Sequence, residues 1–111
     1  MSTPDTHTEL AAELMELEAG LRNLRLWSHR EPTARALAST EPFACDTLAF
    51  TEWLQFIFVP RLYSLAETGA PLPEKCDVTP MAEEYFKANA IEARVVIRRL
   101  WRIDRLVTEA S

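Results

Sequence analysis

The sequence predicts an all-α fold, and three observations support that prediction. The chain has 111 residues, of which 48% are hydrophobic and 26% charged, so it fits one domain over residues 1–111 with one modest core. Only two glycines occur, and no Asn-Gly or Asp-Gly pair marks a tight hairpin turn. Apolar residues recur instead at spacings of three and four, the period of a helix. We therefore predict a single-domain bundle of about four main helices with short extra helical turns.

The first helix is predicted from a leucine seam. Leucines alternate at spacings of four and three along one helical face, at Leu10, Leu14, Leu17, Leu21 and Leu24. Thr6 and Glu9 have the spacing of a capping box, which places the helix over about Thr8 to Trp27. His29 is then expected as its C-terminal cap, where a cation complements the helix dipole. Residues 1–7 are expected to form a mobile N-terminal segment.

A short helix and a long aromatic helix are predicted next. Pro32 can start a helix over Thr33 to Ala38, within a long connection. The central helix is predicted over Leu48 to Thr68, because this segment is apolar almost all round and ends at Gly69, which suits a left-handed cap. Pro60 has no amide hydrogen and crowds the carbonyl four residues earlier, so we expect it to kink the central helix.

Two further helices complete the prediction. Residues 71–73 contain two prolines and impose an extended linker. Thr79 offers an N-cap, and the proline after it suits a first helical position, which starts a short helix to about Lys87. Asn89, with an acid three positions later, repeats the capping-box spacing and opens the last helix, from about Ala90 to Glu109. Its apolar stripe consists of Ala93, Val96, Leu100, Ile103 and Val107.

The composition argues against several classes of function. The formal net charge of -5 has the wrong sign for a protein dedicated to non-specific duplex binding. Two cysteines and two histidines lack the paired spacing of a structural zinc site, so we expect neither a metal nor a cofactor. The longest apolar stretch, Trp53 to Val59, is far shorter than the roughly 20 residues that cross a bilayer. Acids near the N-terminus, in place of a signal peptide's basic and apolar regions, favour a cytoplasmic location.

The middle of the chain resembles a known family. The motifs that carry the resemblance lie within residues 42–73 and are Pro42-Phe43, Asp46-Thr47-Leu48, Glu52-Trp53-Leu54-Gln55, Pro60-Arg61-Leu62 and Pro71-Leu72-Pro73. Their pattern is similar to that of the YqcC-like family of small bacterial proteins. Leu48 and Leu62 stand where that family often has Met, a change that keeps both volume and apolarity.

The resemblance implies an all-helical bundle and no established activity. Members of the family have carried the label of a tRNA pseudouridine synthase. Such an enzyme uses an Asp nucleophile in a mixed α/β domain much larger than 111 residues, and the strands for it are missing from this helical pattern. No Ser, His and Asp set, no Gly-rich phosphate loop and no paired histidines can be assembled either. We therefore expect no enzymatic activity. We interpret the label as borrowed from an enzyme encoded by a neighbouring gene, and that enzyme is a candidate partner.

One set of candidate site residues lies around the central helix: Asp46, Thr47, Gln55 and Arg61. In one interpretation, these polar groups line a ligand pocket walled by aromatic side chains, among them Trp53, Phe56, Phe58 and Tyr63. In the other, which we favour, Asp46 and Thr47 cap the helix, Gln55 bonds to backbone, and Arg61 pairs with a carboxylate such as Asp46. Large aromatics at helical spacing usually belong to the core, and we assign to it Trp27, Phe43, Trp53, Phe56 and Phe58.

A second candidate site lies on the last helix and consists of Arg94, Arg98, Trp101, Arg102 and Arg105. At 100° per residue, the four arginines fall within a sector of about 80°, with Trp101 at its edge and opposite the apolar stripe. Such a surface can pair with the acids of the first helix, either within one chain or across a dimer, and these acids are Glu9, Glu13, Glu16 and Glu18. It can also contact a protein or an RNA, or stay an idle solvated face.

The predicted function is a small helical accessory protein that binds a macromolecular partner through its helical surfaces. A protein partner is favoured, and self-association as a homodimer is one form of it. Two alternatives stay open. One is a small-molecule module with a pocket between the aromatic helix and residues 71–73, and the other is an RNA-associated accessory of a tRNA pseudouridine synthase.

Overall fold

The computed structural model describes residues 5–110, and it confirms the predicted all-α fold. Helices α1 (Thr6–Asn23), α2 (Ala34–Leu37), α4 (Thr79–Ala88) and α5 (Arg94–Glu109) are regular α-helices. Helix α3 runs over 50–68 and joins an α-helical turn (Phe50–Trp53), a π-helical segment (Leu54–Phe58) and an α-helix (Val59–Thr68). A short 3₁₀ turn, Pro42–Ala44, precedes α3. The described residues contain no β-strand.

Helix α1 begins earlier and ends earlier than the sequence predicts. Asp5 is its N-cap and accepts a hydrogen bond from the His7 N–H, so the predicted capping box does not form. The His7 ring lies 2.7 Å from the Ala70 carbonyl oxygen, so the start of α1 contacts the segment after the central helix. The mobile segment expected over residues 1–7 stays a prediction, and residues 1–4 of it lie outside the described part. The helix ends at Asn23 because the chain turns at Arg25, whose φ is 60°. His29 is therefore not its C-terminal cap.

The core forms where α1, α3 and α5 pack together. Four leucines of the predicted seam are buried, as are all five residues of the predicted stripe on α5. Gly20 opposes Val96, where a Cβ on the glycine would come within 3.1 Å of a Val96 methyl group. Glu13 lies about two turns before Gly20 on α1. It bonds to Arg99 and Arg102, which follow Val96 on α5 by no more than two turns. Helices α1 and α5 therefore lie side by side and antiparallel.

Helix α3 begins at a cap that was not predicted from the sequence. Its N-cap is Ala49, whose N–H donates to the Glu52 carboxylate at 2.9 Å. The prediction that Asp46 and Thr47 cap this helix is wrong. Asp46 accepts a hydrogen bond from the Ser39 hydroxyl, and the Thr47 hydroxyl donates to the Ala36 carbonyl at 2.8 Å. The loop before α3 is thereby tied to α2 and to the residues after it.

The predicted distortion at Pro60 takes the form of a widened turn. The π-helical segment Leu54–Phe58 ends two residues before the proline, and the Val59 N–H donates to the Leu54 carbonyl five residues back. A wider turn separates the proline ring from the carbonyl that it would otherwise crowd. The helix then continues to Gly69, whose φ of 68° gives the predicted left-handed cap.

The starts of α4 and α5 also differ from the prediction. Val78 is the N-cap of α4, and Thr79 is its first residue, because the Thr79 hydroxyl is bonded to Asp104 of α5. Asn89 is the C-cap of α4. Ala90 has a φ of 54°, which is not helical and so separates α4 from α5. Helix α5 therefore begins at Arg94 and not near residue 90, with no capping box at its start.

Candidate functional site

The second predicted site lies on the solvent side of α5. We call it the Trp101 face and define it as Arg94, Arg98, Trp101, Arg102 and Arg105. All five side chains are exposed, and the indole of Trp101 has 49% of its surface open to solvent. The helix presents them together because the buried stripe occupies its opposite side.

Most charges of the Trp101 face are compensated by acids of the same chain. Glu13 of α1, whose side chain is only 12% exposed, accepts hydrogen bonds from Arg99 at 3.0 Å and from Arg102 at 2.9 Å. Arg105 pairs with Glu109 at 2.6 Å, one turn further along α5. Arg94 lies 3.6 Å from Glu92. This is the predicted charge pairing between α1 and α5, and within residues 5–110 Glu13 is the one glutamate of α1 that makes it, while Glu18 pairs with Arg22 of its own helix.

Arg98 differs from the other arginines of α5. Within residues 5–110, no carboxylate lies in ion-pair distance of its guanidinium, and the side chain is exposed. A guanidinium without an acid partner keeps all its donors available for an incoming carboxylate or phosphate. Arg98 is therefore the most available cation of the Trp101 face.

Trp101 stands between clefts. The Arg105 guanidinium lies 5.1 Å from the centre of the indole ring, a cation–π contact that holds the ring against the helix. On one side, an open cleft of about 490 Å³ separates Trp101 from the segment 75–80. On the other, a cleft of about 510 Å³ lies between Trp101, Arg98 and Glu83 of α4. The indole therefore forms a ridge with room for side chains of another molecule on both flanks.

Asp104 positions one wall of these clefts, a role that was not predicted from the sequence. Its buried carboxylate accepts the N–H groups of Val78 at 2.9 Å and of Thr79 at 2.8 Å, and the Thr79 hydroxyl at 2.6 Å. It thus satisfies the free amides at the start of α4 from a different helix. The signal that was available is the place of Asp104 directly after Ile103, on the edge of the apolar stripe.

The thiol of Cys76 completes this cluster. It donates to Asp104 at 3.1 Å, and the Cys76 backbone bonds to the Thr108 hydroxyl through both its N–H and its carbonyl. Burial raises the pKa of the Cys76 thiol well above its ordinary value, and the hydrogen bond and charge of Asp104 and the charge of Asp77 raise it further. A thiol that stays protonated at neutral pH is a poor nucleophile and a poor metal ligand.

The residues of the first predicted site are not brought together. Gln55 is buried and bonds twice to the backbone of Ser28, as donor at 2.8 Å and as acceptor at 2.7 Å. Arg61 is exposed and lines a different cleft, of about 500 Å³, together with Glu41 and other residues. The expected pairing of Arg61 with Asp46 does not form, since Asp46 bonds to Ser39 and no ion pair of Arg61 occurs within residues 5–110. The backbone role expected for Gln55 is present.

The predicted core aromatics differ in how deeply they are placed. Phe58 is buried, and its ring lies 5.1 Å from that of Trp53. Trp27, Phe43 and Trp53 are half-buried and pack against the core from its edge. Phe56 is half-buried and lines the Arg61 cleft.

The predicted pocket beside the aromatic helix also differs from the observed clefts. Helix α3 lines the Arg61 cleft on one side and, on another, a cleft of about 500 Å³ with Trp27 and Tyr63. Neither of them is lined by residues 71–73. Within the described range, no three His, Cys, Asp or Glu side chains are grouped closely enough to hold a metal ion. None of the helices over 5–110 has both the length and the apolarity to cross a bilayer.

Comparison with known proteins gives one consistent family. Residues 9–106 match the family profile described as "DUF446: tRNA pseudouridine synthase C". The chain is 32% identical to the uncharacterized protein YqcC of Escherichia coli, over 94% of this chain and 95% of that one. It is 42% identical to an uncharacterized protein of Haemophilus influenzae, over 67% of this chain and 70% of the relative.

Two further comparisons concern a structure and a longer relative. The solution NMR structure of YqcC from E. coli is similar to this fold with a TM-score of 0.83 and 31% identity, over 96% of this chain and 91% of that one. A protein of Pectobacterium carotovorum named tRNA pseudouridine synthase C is 37% identical over 59% of this chain, but the match spans only 17% of that protein.

Proposed function

The chain belongs to the DUF446 family of YqcC-like proteins, and its relatives in E. coli and H. influenzae are uncharacterized, so we propose that it acts by binding a protein partner through the Trp101 face. The protein works in this proposal as a small helical accessory that binds its partner without catalysing a reaction on it. It requires no cofactor for that role.

A single observation carries the proposal: a half-exposed tryptophan stands between two clefts and is flanked by arginines. Trp and Arg are the residue types that contribute most to binding energy in protein interfaces, especially where a large side chain meets a pocket. An indole left half in water has apolar area that a partner can bury. Arg98 adds a cation that no acid of the described chain neutralises.

The charge distribution favours a protein over a nucleic acid. Binding to a phosphate backbone depends on cations that are free to replace counterions. Arg94, Arg102 and Arg105 already have carboxylates beside them. In the described part of the chain, Arg98 is the cation of this surface without an acid beside it, and a single such cation next to an exposed aromatic ring suits a mixed apolar and polar contact better than a run of phosphates.

Two features support a role without catalysis. The acid at the base of the cleft, Asp104, already accepts hydrogen bonds at both carboxylate oxygens, so its geometry is that of a helix cap. The nearby Cys76 has a raised pKa and is held protonated. A general base or a nucleophile would need the opposite properties.

The test is capture of partners from the organism's own lysate with tagged wild-type protein and three variants. Trp101→Ala removes the ridge, and Arg98→Glu reverses the free cation. Arg35→Glu is the matched control, because Arg35 is an exposed arginine of α2 outside the Trp101 face. Arg102 is left intact, since its reversal would place a carboxylate against Glu13 and disturb the packing of α1 on α5.

The expected result is a stoichiometric protein that the wild type and Arg35→Glu capture and that the other two variants lose. Circular dichroism should show that all four proteins are folded. Thermal melts of Arg98→Glu and Arg35→Glu should match that of the wild type, because these side chains lie at the surface, whereas Trp101→Ala should melt lower, because half of the indole surface is buried. Retention of the partner by both Trp101→Ala and Arg98→Glu would show that the Trp101 face is not the binding site.

A second candidate function is an association with tRNA modification. The P. carotovorum protein named tRNA pseudouridine synthase C contains a segment similar to this chain, which makes up 17% of its length. A segment of this kind therefore occurs there in the same polypeptide as the rest of a protein named as a synthase. We propose that this chain accompanies such an enzyme as a separate accessory. The lysate capture tests it directly: the synthase should be the captured protein, and tRNA should be enriched with it and be lost as salt is raised.

A further inference from the structure

The exposed apolar side chains indicate which kind of protein binds the Trp101 face. Of the described residues, the large hydrophobic side chains most open to solvent are Met15, Val95 and Trp101, at 63%, 62% and 49% of their surface. All three lie on α1 or α5, the two helices that pack side by side at one surface of the fold. The inference below rests on the proposed function, because it names a partner for the same face.

The register between the two helices places Met15 and Trp101 at similar heights. Gly20 lies opposite Val96, and Glu13 lies between Arg99 and Arg102. Counting back along antiparallel helices at about 1.5 Å per residue, Met15 and Glu16 fall about level with the middle of α5, within one turn of Trp101 and Arg98.

The two exposed apolar residues lie on opposite flanks of this two-helix layer. Met15 lines the cleft with Tyr63 of α3, so it faces away from α5. Trp101 lines the clefts beside α4 and the segment 75–80, so it faces away from α1. Between the flanks, the outer side of α1 carries Ala12, Glu16 and Ala19, all of them exposed. The small side chains of the two alanines permit close approach of another helix.

We propose that the protein forms a two-fold symmetric homodimer in which the α1–α5 layer of one copy stacks on the same layer of a second copy, about an axis parallel to the helices. Such a rotation keeps each residue at its height and puts α1 of each copy over α5 of the other. Met15 then meets Trp101 of the partner subunit, and Glu16 meets Arg98 of the partner subunit. Each contact occurs twice.

Charge complementarity supports this occupant over an unrelated protein. A two-fold interface brings one patch against itself, so the patch must be self-complementary. Of the four glutamates of α1, Glu13 and Glu18 already pair within the chain, whereas the exposed Glu16 has no ion pair within residues 5–110. The proposed axis places Glu16 opposite α5 of the second copy. Arg98, which lacks an acid partner within its own described chain, obtains one from Glu16 of the second copy.

The size of the layer sets the strength of the dimer. Two helices about 24 Å long and about 10 Å wide present a face on the order of 500 Å² in each copy. Such an area lies at the lower end of specific protein interfaces. The dimer should therefore be concentration-dependent, with monomer prevailing in dilute solution.

Sedimentation velocity on the full chain tests the proposal over a concentration series from low micromolar to submillimolar. The wild type and the control Arg35→Glu should shift from 12.7 kDa toward twice that mass as concentration rises. Glu16→Arg and Arg98→Glu should each remain monomeric, because each places like charges across the axis. An equimolar mixture of these two variants should form a heterodimer, since Arg at position 16 of one chain meets Glu at position 98 of the other and the second pair is unchanged.

Three outcomes would overturn the proposal: a wild type that stays monomeric throughout, a dimer that both single reversals leave intact, or a mixture that does not associate. A monomeric wild type that still captures a lysate protein in a Trp101-dependent way would remove the homodimer and leave the proposed function standing. If Trp101→Ala keeps both the self-association and the capture of the lysate protein, the homodimer and the proposed function are both wrong.

Discussion

Replacing Asp104 tests whether one carboxylate on α5 organises the start of α4. Asp104→Ala removes the acceptor of two buried N–H groups, those of Val78 and Thr79, and of the Thr79 hydroxyl. The hydroxyl can turn to another acceptor, but the two N–H groups cannot. A buried donor left without an acceptor costs about 1 to 3 kcal/mol, so the loss for two donors is about 2 to 6 kcal/mol, and we expect the free energy of unfolding to fall by about 4 kcal/mol, the middle of that range.

The graded variants make this prediction sharper. Asp104→Asn keeps the shape and one acceptor oxygen, but its amide group must oppose at least one of the buried N–H groups, so we expect a loss of about 1 to 3 kcal/mol. Thr79→Val removes only the hydroxyl and should cost about 1 kcal/mol. The three variants should therefore rank Asp104→Ala, Asp104→Asn, Thr79→Val in decreasing destabilisation.

Urea unfolding followed by circular dichroism at 222 nm measures these differences. For a domain of this size, the loss expected of Asp104→Ala corresponds to a Tm lower by roughly 10 to 20 °C, so a thermal melt serves as a second measurement. A loss below about 1 kcal/mol for Asp104→Ala would show that water or another residue satisfies the start of α4, and the assigned role would be wrong. Equal losses for all three variants would contradict it as well.

Further predictions concern the core, the helix contact and the thiol. Phe86→Ala should lower the free energy of unfolding by about 3 to 5 kcal/mol, because the Phe86 side chain is 1% exposed, and Trp53→Ala should lower it by about 2 to 3 kcal/mol, because Trp53 is half-buried. The reverse order in urea unfolding would contradict the burial described. Gly20→Ala should change stability by less than about 1 kcal/mol, because the gain in helix propensity offsets the 3.1 Å contact with Val96, whereas Gly20→Leu should force α1 from α5 and cost several times more. The pKa of Cys76 is raised in the folded state, so stability should be full below the unfolded thiol's pKa of about 8.5 and should decline above it; Cys76→Ala should lose less stability between about pH 7 and 10, and an identical decline in both proteins would exclude this linkage.

The sequence was informative wherever a structure follows from the period of one segment. The leucine seam and the α5 stripe were predictable because a helix with one apolar face has a single way to bury it. Trp101 was predictable as an exposed residue for the same reason, since it lies opposite that stripe.

Helix boundaries were less predictable because distant side chains determine them. The start of α4 depends on Asp104, which is 25 residues from Thr79 along the chain, and the local Thr-Pro pattern pointed to the wrong N-cap. Pairing of acids on α1 with arginines on α5 was among the expected alternatives. The choice of Glu13 over its neighbours depends on the register of the two helices, which one sequence does not reveal.

The polar cluster failed for a related reason. Its four residues were grouped by proximity along the chain, and the turn before α3 separates them. Gln55 reaches back to Ser28, Asp46 and Thr47 turn toward α2, and Arg61 faces a third direction. Closeness in sequence across a loop and a widened helical turn does not fix closeness in space.

The pairing of α1 with α5 has a consequence for synthesis of the protein. The ribosome releases α1 first and α5 last, with 70 residues between Asn23 and Arg94. At about 5 to 20 residues per second, the part of the leucine seam that packs against α5 waits on the order of ten seconds for that helix. A chain that stops before α5 never obtains that cover, so nascent and truncated products expose the same apolar surface and depend on chaperones or meet proteases until the last helix arrives.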